Sequence, residues 1–223
     1  ELPVVIVPRE LPDWLVDVVD KLPKHATKRY ERRTQPVKQI VIHHTASKPT
    51  TSAAAVARYH SMEPPMGRGY PGIAYHVYIG SDGLVELTQP LDVVSYHAGD
   101  ANGTSVGVCF SGDFTVAPPT AQQLVSGKLV IAWLLDKLGL QNDAVLGHGD
   151  LMDTACPGGD WWKALLPAEP EYTSIAEAVA LIRDAMVSVT KVYTLVHSLA
   201  EQVKDELDAL MTQLEDAREK LAG

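Results

Sequence analysis

A chain of 223 residues, 46% hydrophobic and 21% charged, holds enough apolar material for one catalytic-sized core with an appendage left over. Its formal charge of -9 excludes wholesale nucleic-acid binding, which needs clustered Lys and Arg against phosphate. No run reaches the ~18 apolar residues of a membrane span, and no basic stretch followed by an apolar one opens the chain as a secretory signal would. Because the first residue is Glu1 and not methionine, a processed or excised N-terminus is expected.

Residues 1–35 read as an N-terminal extension. An apolar stretch Val4-Val5-Ile6-Val7 is followed by a predicted short helix that starts near Pro12 or Asp13 and runs to Leu22. Lys21, Lys24, Lys28, Arg29, Arg32 and Arg33 then form a basic cluster, read as a solvated face or linker, the alternative being a patch for an anionic polymer. Ile40-Val41-Ile42 predicts a strand ending at His43, Ser52 opens a helix to His60, and the Pro- and Gly-rich loop from Glu63 to Gly72 is long enough to border a groove. Tyr75–Ile79 and Leu84–Leu87 flank Ser81-Asp82-Gly83, which signals a hairpin. Val106–Phe110 reads as a buried strand that takes Cys109 into the core, so no disulfide is predicted.

Thr120–Leu138 has helical spacing through Leu124, Leu129, Ile131, Leu134, Leu135 and Leu138, and Gly139 is a suitable stop. Trp161-Trp162 is read as packing a last short helix, with sugar stacking as the alternative. The expected fold is α/β: a mixed central β-sheet flanked by helices, over residues 36–168. From residue 169 to 223 the balance is 11 acidic against 5 basic residues, so the tail carries most of the excess charge. Ile175, Ile182, Val189, Val196, Val203, Leu210 and Ala217 recur every seven residues there. Val179, Met186, Tyr193, Ala200, Leu207, Leu214 and Leu221 fill the complementary register. This is an unbroken coiled-coil-like a/d seam on a long helix, and it predicts a homo-oligomer. The alternative is a helical hairpin or a helix packed on the rest of the chain, since Ala178, Ala185, Val192 and Leu199 widen the stripe.

Chemistry concentrates at His43, His148 and Cys156. Singly, a strand-end histidine or a lone cysteine is ordinary packing. Here Gly147-His148-Gly149-Asp150 and Ala155-Cys156-Pro157-Gly158-Gly159 are turn-rich loops that display side chains. Two imidazoles and a thiolate make three legs of a tetrahedral zinc site (Zn2+), and a fourth leg left to water distinguishes a catalytic metal from a structural one. Magnesium and calcium would want oxygen ligands instead.

At these residues the chain resembles the type-2 N-acetylmuramoyl-L-alanine amidases, a family that spans phage endolysins and animal peptidoglycan-recognition proteins. The resemblance lies in Val41-Ile42-His43-His44-Thr45-Ala46, Gly72–Ile79, His97-Ala98-Gly99 with Ser105–Val108, and His148 through Gly158, over roughly residues 36 to 166. It implies zinc ligands at His43, His148 and Cys156, with His44 beside them as a supporting or surface residue. Tyr75 matches the tyrosine that in active members orients or activates the attacking water, although a strand tyrosine can simply pack on a sheet. Thr154 sits where some members have a lysine, so that oxyanion stabilisation would come from its hydroxyl or the metal. His97 matches a histidine near the substrate groove, with substrate contact as its implied role. The implied activity is hydrolysis of the bond between the lactyl group of N-acetylmuramic acid and L-alanine in peptidoglycan, in a phage endolysin held in the host cytoplasm before its release to the cell wall, or otherwise secreted. The alternative is a peptidoglycan-binding module without turnover, since one scaffold can recognise or cut.

Overall fold

Six short strands form one mixed sheet: β1 (Leu15–Asp17), β2 (Gln39–His44), β3 (Val77–Ile79), β4 (Val85–Leu87), β5 (Ser105–Phe110) and β6 (Val145–Gly147). Their order is β1-β4-β3-β5-β2-β6. The β3–β4 hairpin is antiparallel, and the other neighbours run parallel. All of these belong to a computed structural model that describes residues 11–168 and 175–222.

β2 and β5 are central and buried on both faces, as their near-continuous apolar runs require. Side chains alternate between faces. Ile40, Ile42, Val106, Val108 and Phe110 therefore pack with Val130, Ile131 and Leu134 of helix α2 (Ala121–Leu138). On the other face Cys109 and Tyr78 pack with Val56 and Ala57 of α1 (Ala53–Ser61). His43 lies in register with Cys109, which carries its imidazole to this second face at the end of β2.

The helix boundaries follow their caps. Ser52 accepts from the Ala55 amide at the start of α1. Thr120 and Gln123 close a reciprocal capping box on α2, whose loss would cost ~1 kcal/mol. Gly139 ends α2 in the left-handed region at φ 64°. The hairpin turn likewise needs Gly83, at φ 85°. Trp162 is buried in the core, and Trp161 packs edge-on against Phe110 and Phe114, so both indoles serve packing.

The expected helix from residue 12 to Leu22 is a correction: the segment forms turns around β1, which adds to the sheet beside β4. Val16, Val18 and Val19 favour extended backbone, and the Asp17 carboxylate accepts from the Val19 amide, a local bond that competes with a helix. Leu15, Val18, Val19 and Leu22 are buried, so part of the N-terminal extension belongs to the core. The basic cluster is only partly a solvated face. Arg33 turns inward, donating to the carbonyls of Leu91, Val93, Gly103 and Ser105. Lys28 is paired with Glu63, and Lys24 with Asp20. The apolar stretch Val4–Val7 lies outside the described residues.

The chain divides into two units, Glu1–Ala168 and Glu169–Gly223. In the second, α3 is one uninterrupted helix, Ile175–Ala222, with 48 residues that span ~72 Å at 1.5 Å each. Met186, Val189, Tyr193, Val196, Val203, Leu207, Leu210 and Leu214 of the seam are all exposed. The seam side chains before Met186 and after Leu214 lie outside the described residues. No described helix is long and apolar enough to cross a membrane.

Candidate metal centre

Three elements bring the ligand atoms together. β2 delivers His43, and the turn after β6 delivers His148, because β6 lies beside β2 in the sheet. The following loop returns Cys156, held by a hydrogen bond from the Gly149 amide to the Cys156 carbonyl at 2.7 Å. The ligating atoms of His43, His148 and Cys156 all lie within 4.8 Å of one another. Cys156 Sγ is 3.7 Å from His43 Nδ1, close to the ~3.6 Å that tetrahedral Zn–S and Zn–N bonds impose. The donor set and its spacing fit zinc.

The electrostatics keep these ligands able to bind. Burial, reinforced by the nearby imidazoles of His97 and His148, holds the His43 pKa well below the ordinary histidine range, so its lone pair stays available. Burial also lowers His148. Burial pushes the Cys156 thiol up to about 11, so a bound cation must displace its proton, as a thiolate ligand requires. Sγ accepts from the His44 amide at 3.4 Å, a bond that favours the thiolate.

An open cavity of about 630 Å³ gives onto the three ligands, with Tyr75, His97 and Thr154 also in its wall. Arg68, Tyr70 and Tyr96 line it too, so the loop after Glu63 does border a groove. The Tyr75 ring lies 5.2 Å from that of His43. Burial, then the neighbouring Cys109 and Cys156, raises the Tyr75 hydroxyl well above its usual value, so it keeps its proton at neutral pH. Thr154 Oγ1 accepts from the Cys156 amide at 3.3 Å, which leaves its own hydrogen free to donate.

His44 is buried and accepts from the Phe114 amide through Nδ1 at 3.0 Å, a supporting role for the adjacent loop. His97 sits behind His43, with its Nδ1 3.0 Å from His43 Nε2. Sequence reading assigned nothing to His60 or His76. His60 lines the cavity, accepts from the Ala74 amide and packs at a tilt against Tyr75, with ring centroids 5.6 Å apart. His76 is fully buried between the Gly107 amide and the Val93 carbonyl. His60 stands beside no motif glycine or second candidate ligand, and His76, although next to Tyr75 within Gly72–Ile79, carries no local sign of its buried hydrogen bonds.

Comparison with known proteins agrees with this geometry. Residues 33–159 match the family described as N-acetylmuramoyl-L-alanine amidase. Peptidoglycan-recognition protein LB of Drosophila melanogaster is 32% identical over 158 residues, covering 66% of this chain and 66% of that protein. An endolysin of Klebsiella phage KP32 is 30% identical over 139 residues, covering 59% of this chain and 89% of the endolysin. Among solved structures, wild-type Drosophila PGRP-LB superposes with a TM-score of 0.57 at 28% identity, over 72% of this chain and 96% of that one. The endolysin amidase LysCS from Clostridium intestinale gives a TM-score of 0.52 at 26% identity, over 65% and 87%. With more than half its length matched, and the ligand cluster inside the matched segment, the chain belongs to the type-2 N-acetylmuramoyl-L-alanine amidase family.

Proposed function

We propose that the protein hydrolyses the amide between the lactyl group of N-acetylmuramic acid and L-alanine of peptidoglycan, using a zinc ion held by His43, His148 and Cys156. The observation that carries this reading is the convergence of two neutral imidazoles and one thiol at the floor of an open cavity. Zinc bound there supplies Lewis acidity and a nucleophilic water at neutral pH. The chain's own groups do the rest. Tyr75, protonated and beside His43, orients the attacking water and relays its proton. Thr154 lines the cavity, and its hydroxyl hydrogen, not used by the bond from the Cys156 amide, is the donor for the developing oxyanion. Residues 36–168 form the catalytic segment, supported by the edge strand β1 from residues 1–35.

The tail is proposed to join copies of this chain. A seven-residue repeat drifts by ~20° per heptad around a straight helix, so only another helix that winds with it stays in contact over the full length. The occupant that always carries the matching repeat is a second α3. β-Branched Val189, Val196 and Val203 in one register of the seam, with Leu207 and Leu214 in the other, favour bundles of three or more helices over a parallel pair. As an endolysin the protein would reside in the host cytoplasm before its release to the cell wall; as a recognition-type amidase it would be secreted.

Metal analysis joined to turnover tests the catalytic reading. One zinc per chain is expected, with free L-alanine amino termini appearing from muropeptides, and a Cys156→Ala variant should lose both. Stoichiometric zinc without turnover would select a peptidoglycan-binding module instead. No zinc at all would remove the proposal.

A further inference from the structure

The proton positions around His43 can be deduced from a group that has no choice. The Ala101 carbonyl can only accept, and Ser105 Oγ lies 2.7 Å from it, so Ser105 spends its single hydrogen there. Toward His97 Nε2, at 3.3 Å, Ser105 Oγ is then an acceptor. Nε2 of His97 therefore carries the proton, and in a neutral imidazole Nδ1 must be a bare lone pair. That lone pair is 3.0 Å from His43 Nε2. His43 must donate through Nε2, and its own lone pair is left on Nδ1, the atom 3.7 Å from Cys156 Sγ. We infer that Ser105 and His97 are positioning residues that fix the tautomer and ring angle of His43 so that Nδ1 is the atom presented to the metal.

The surroundings of His97 are built for this task. Its ring lies on the bare backbone of β5, where a Cβ at Gly107 would sit 2.8 Å from the ring's Cγ and 2.9 Å from Nδ1. Asn102 Oδ1 accepts from the His97 and Ala98 amides at 2.9 and 2.7 Å, which pins the backbone that carries the ring. His76 packs edge-on against the far side at 5.6 Å. With 7% of its surface exposed, His97 has both nitrogens engaged inside the protein, which leaves little of it for substrate. A histidine that binds metal usually donates its second N–H to a carboxylate, a carbonyl or water. An imidazole acceptor holds the ring as well and adds no negative charge beside the thiolate.

This inference rests on His43 being a metal ligand, and its test is read on metal affinity and not on turnover. In the full chain, His97→Phe keeps a ring over Gly107 but offers no acceptor, whereas His97→Asn keeps an oxygen near the position of Nδ1. Competition against a chromophoric chelator should show zinc binding weakened about 10- to 100-fold in the Phe variant and nearly restored in the Asn variant. Nitrogen-15 NMR of histidine-labelled, metal-free parent protein should find His43 protonated at Nε2, which decides the matter even if the Phe variant does not fold. A folded Phe variant with parental zinc affinity, or a His43 proton on Nδ1, would overturn the inference. So would a variant altered only in KM, since that would put His97 on the substrate. If the parent binds zinc but leaves muropeptides intact, the amidase reading fails while the affinity result stands.

Discussion

At the scale of single residues, the proposed site separates groups assigned to the metal, His43, His148 and Cys156, from groups assigned to the substrate. Tyr75 is the sharpest case, because its ring touches His43 while its hydroxyl stays protonated in a buried setting. A Tyr75→Phe variant should keep its zinc and lose about 10²- to 10⁴-fold in turnover, the range of a general acid–base contribution. Unchanged turnover under saturating muropeptide would take Tyr75 out of the mechanism. The convergence of the three candidate ligands was foreshadowed in the sequence because Gly147, Gly149, Pro157 and Gly158 advertise display loops around His148 and Cys156. The supporting residues were not. Ser105 and Asn102 owe their role to side-chain hydrogens and lone pairs that meet only after folding, and Arg33 looked like one more solvated charge until four carbonyls were found around its guanidinium.

At the scale of elements, α2 and the hairpin were readable because local rules and tertiary packing agree: a capping box, a terminal glycine and an apolar stripe all specify the same 18-residue helix. The segment from residue 12 to 22 misled because its apolar residues fit a helical period, whereas its β-branching and the Asp17 bond to Val19 favour a short edge strand. Sheet order was out of reach, since pairing β1 with β4 joins residues about 70 apart with no local signal. For α3 the sequence specified a seam, and the described part of that seam stands exposed. Burying each such aliphatic side chain is worth about 1.5–3 kcal/mol, so several of them can outweigh an association cost of about 4–15 kcal/mol. Light scattering on the full chain should give a mass of three or more copies, and a Val196→Asp, Val203→Asp double variant should return it to one. A single-chain mass across concentrations would remove the assembly.

At the scale of the whole molecule, the sheet is used as a frame that keeps a set of imidazoles neutral. Burial lowers His76 to about 3, and burial with the nearby Arg68 lowers His60 to about 4, while both would titrate near 6.5 once unfolded. Between those values the unfolded chain binds more protons than the folded one, so stability is intact above pH 6.5 and falls as the pH drops toward 4. Urea denaturation of the metal-free protein should therefore give a lower midpoint at pH 5 than at pH 7, with equal midpoints counting against neutral, buried histidines. The central claim, that this frame exists to direct a metal-activated water at one amide, is tested most directly by mass spectrometry of purified peptidoglycan after digestion. The account predicts intact glycan strands and stem peptides with free L-alanine amino termini, released by the zinc-loaded protein and not after chelation. New reducing sugar ends, or equal digestion by metal-stripped protein, would contradict it.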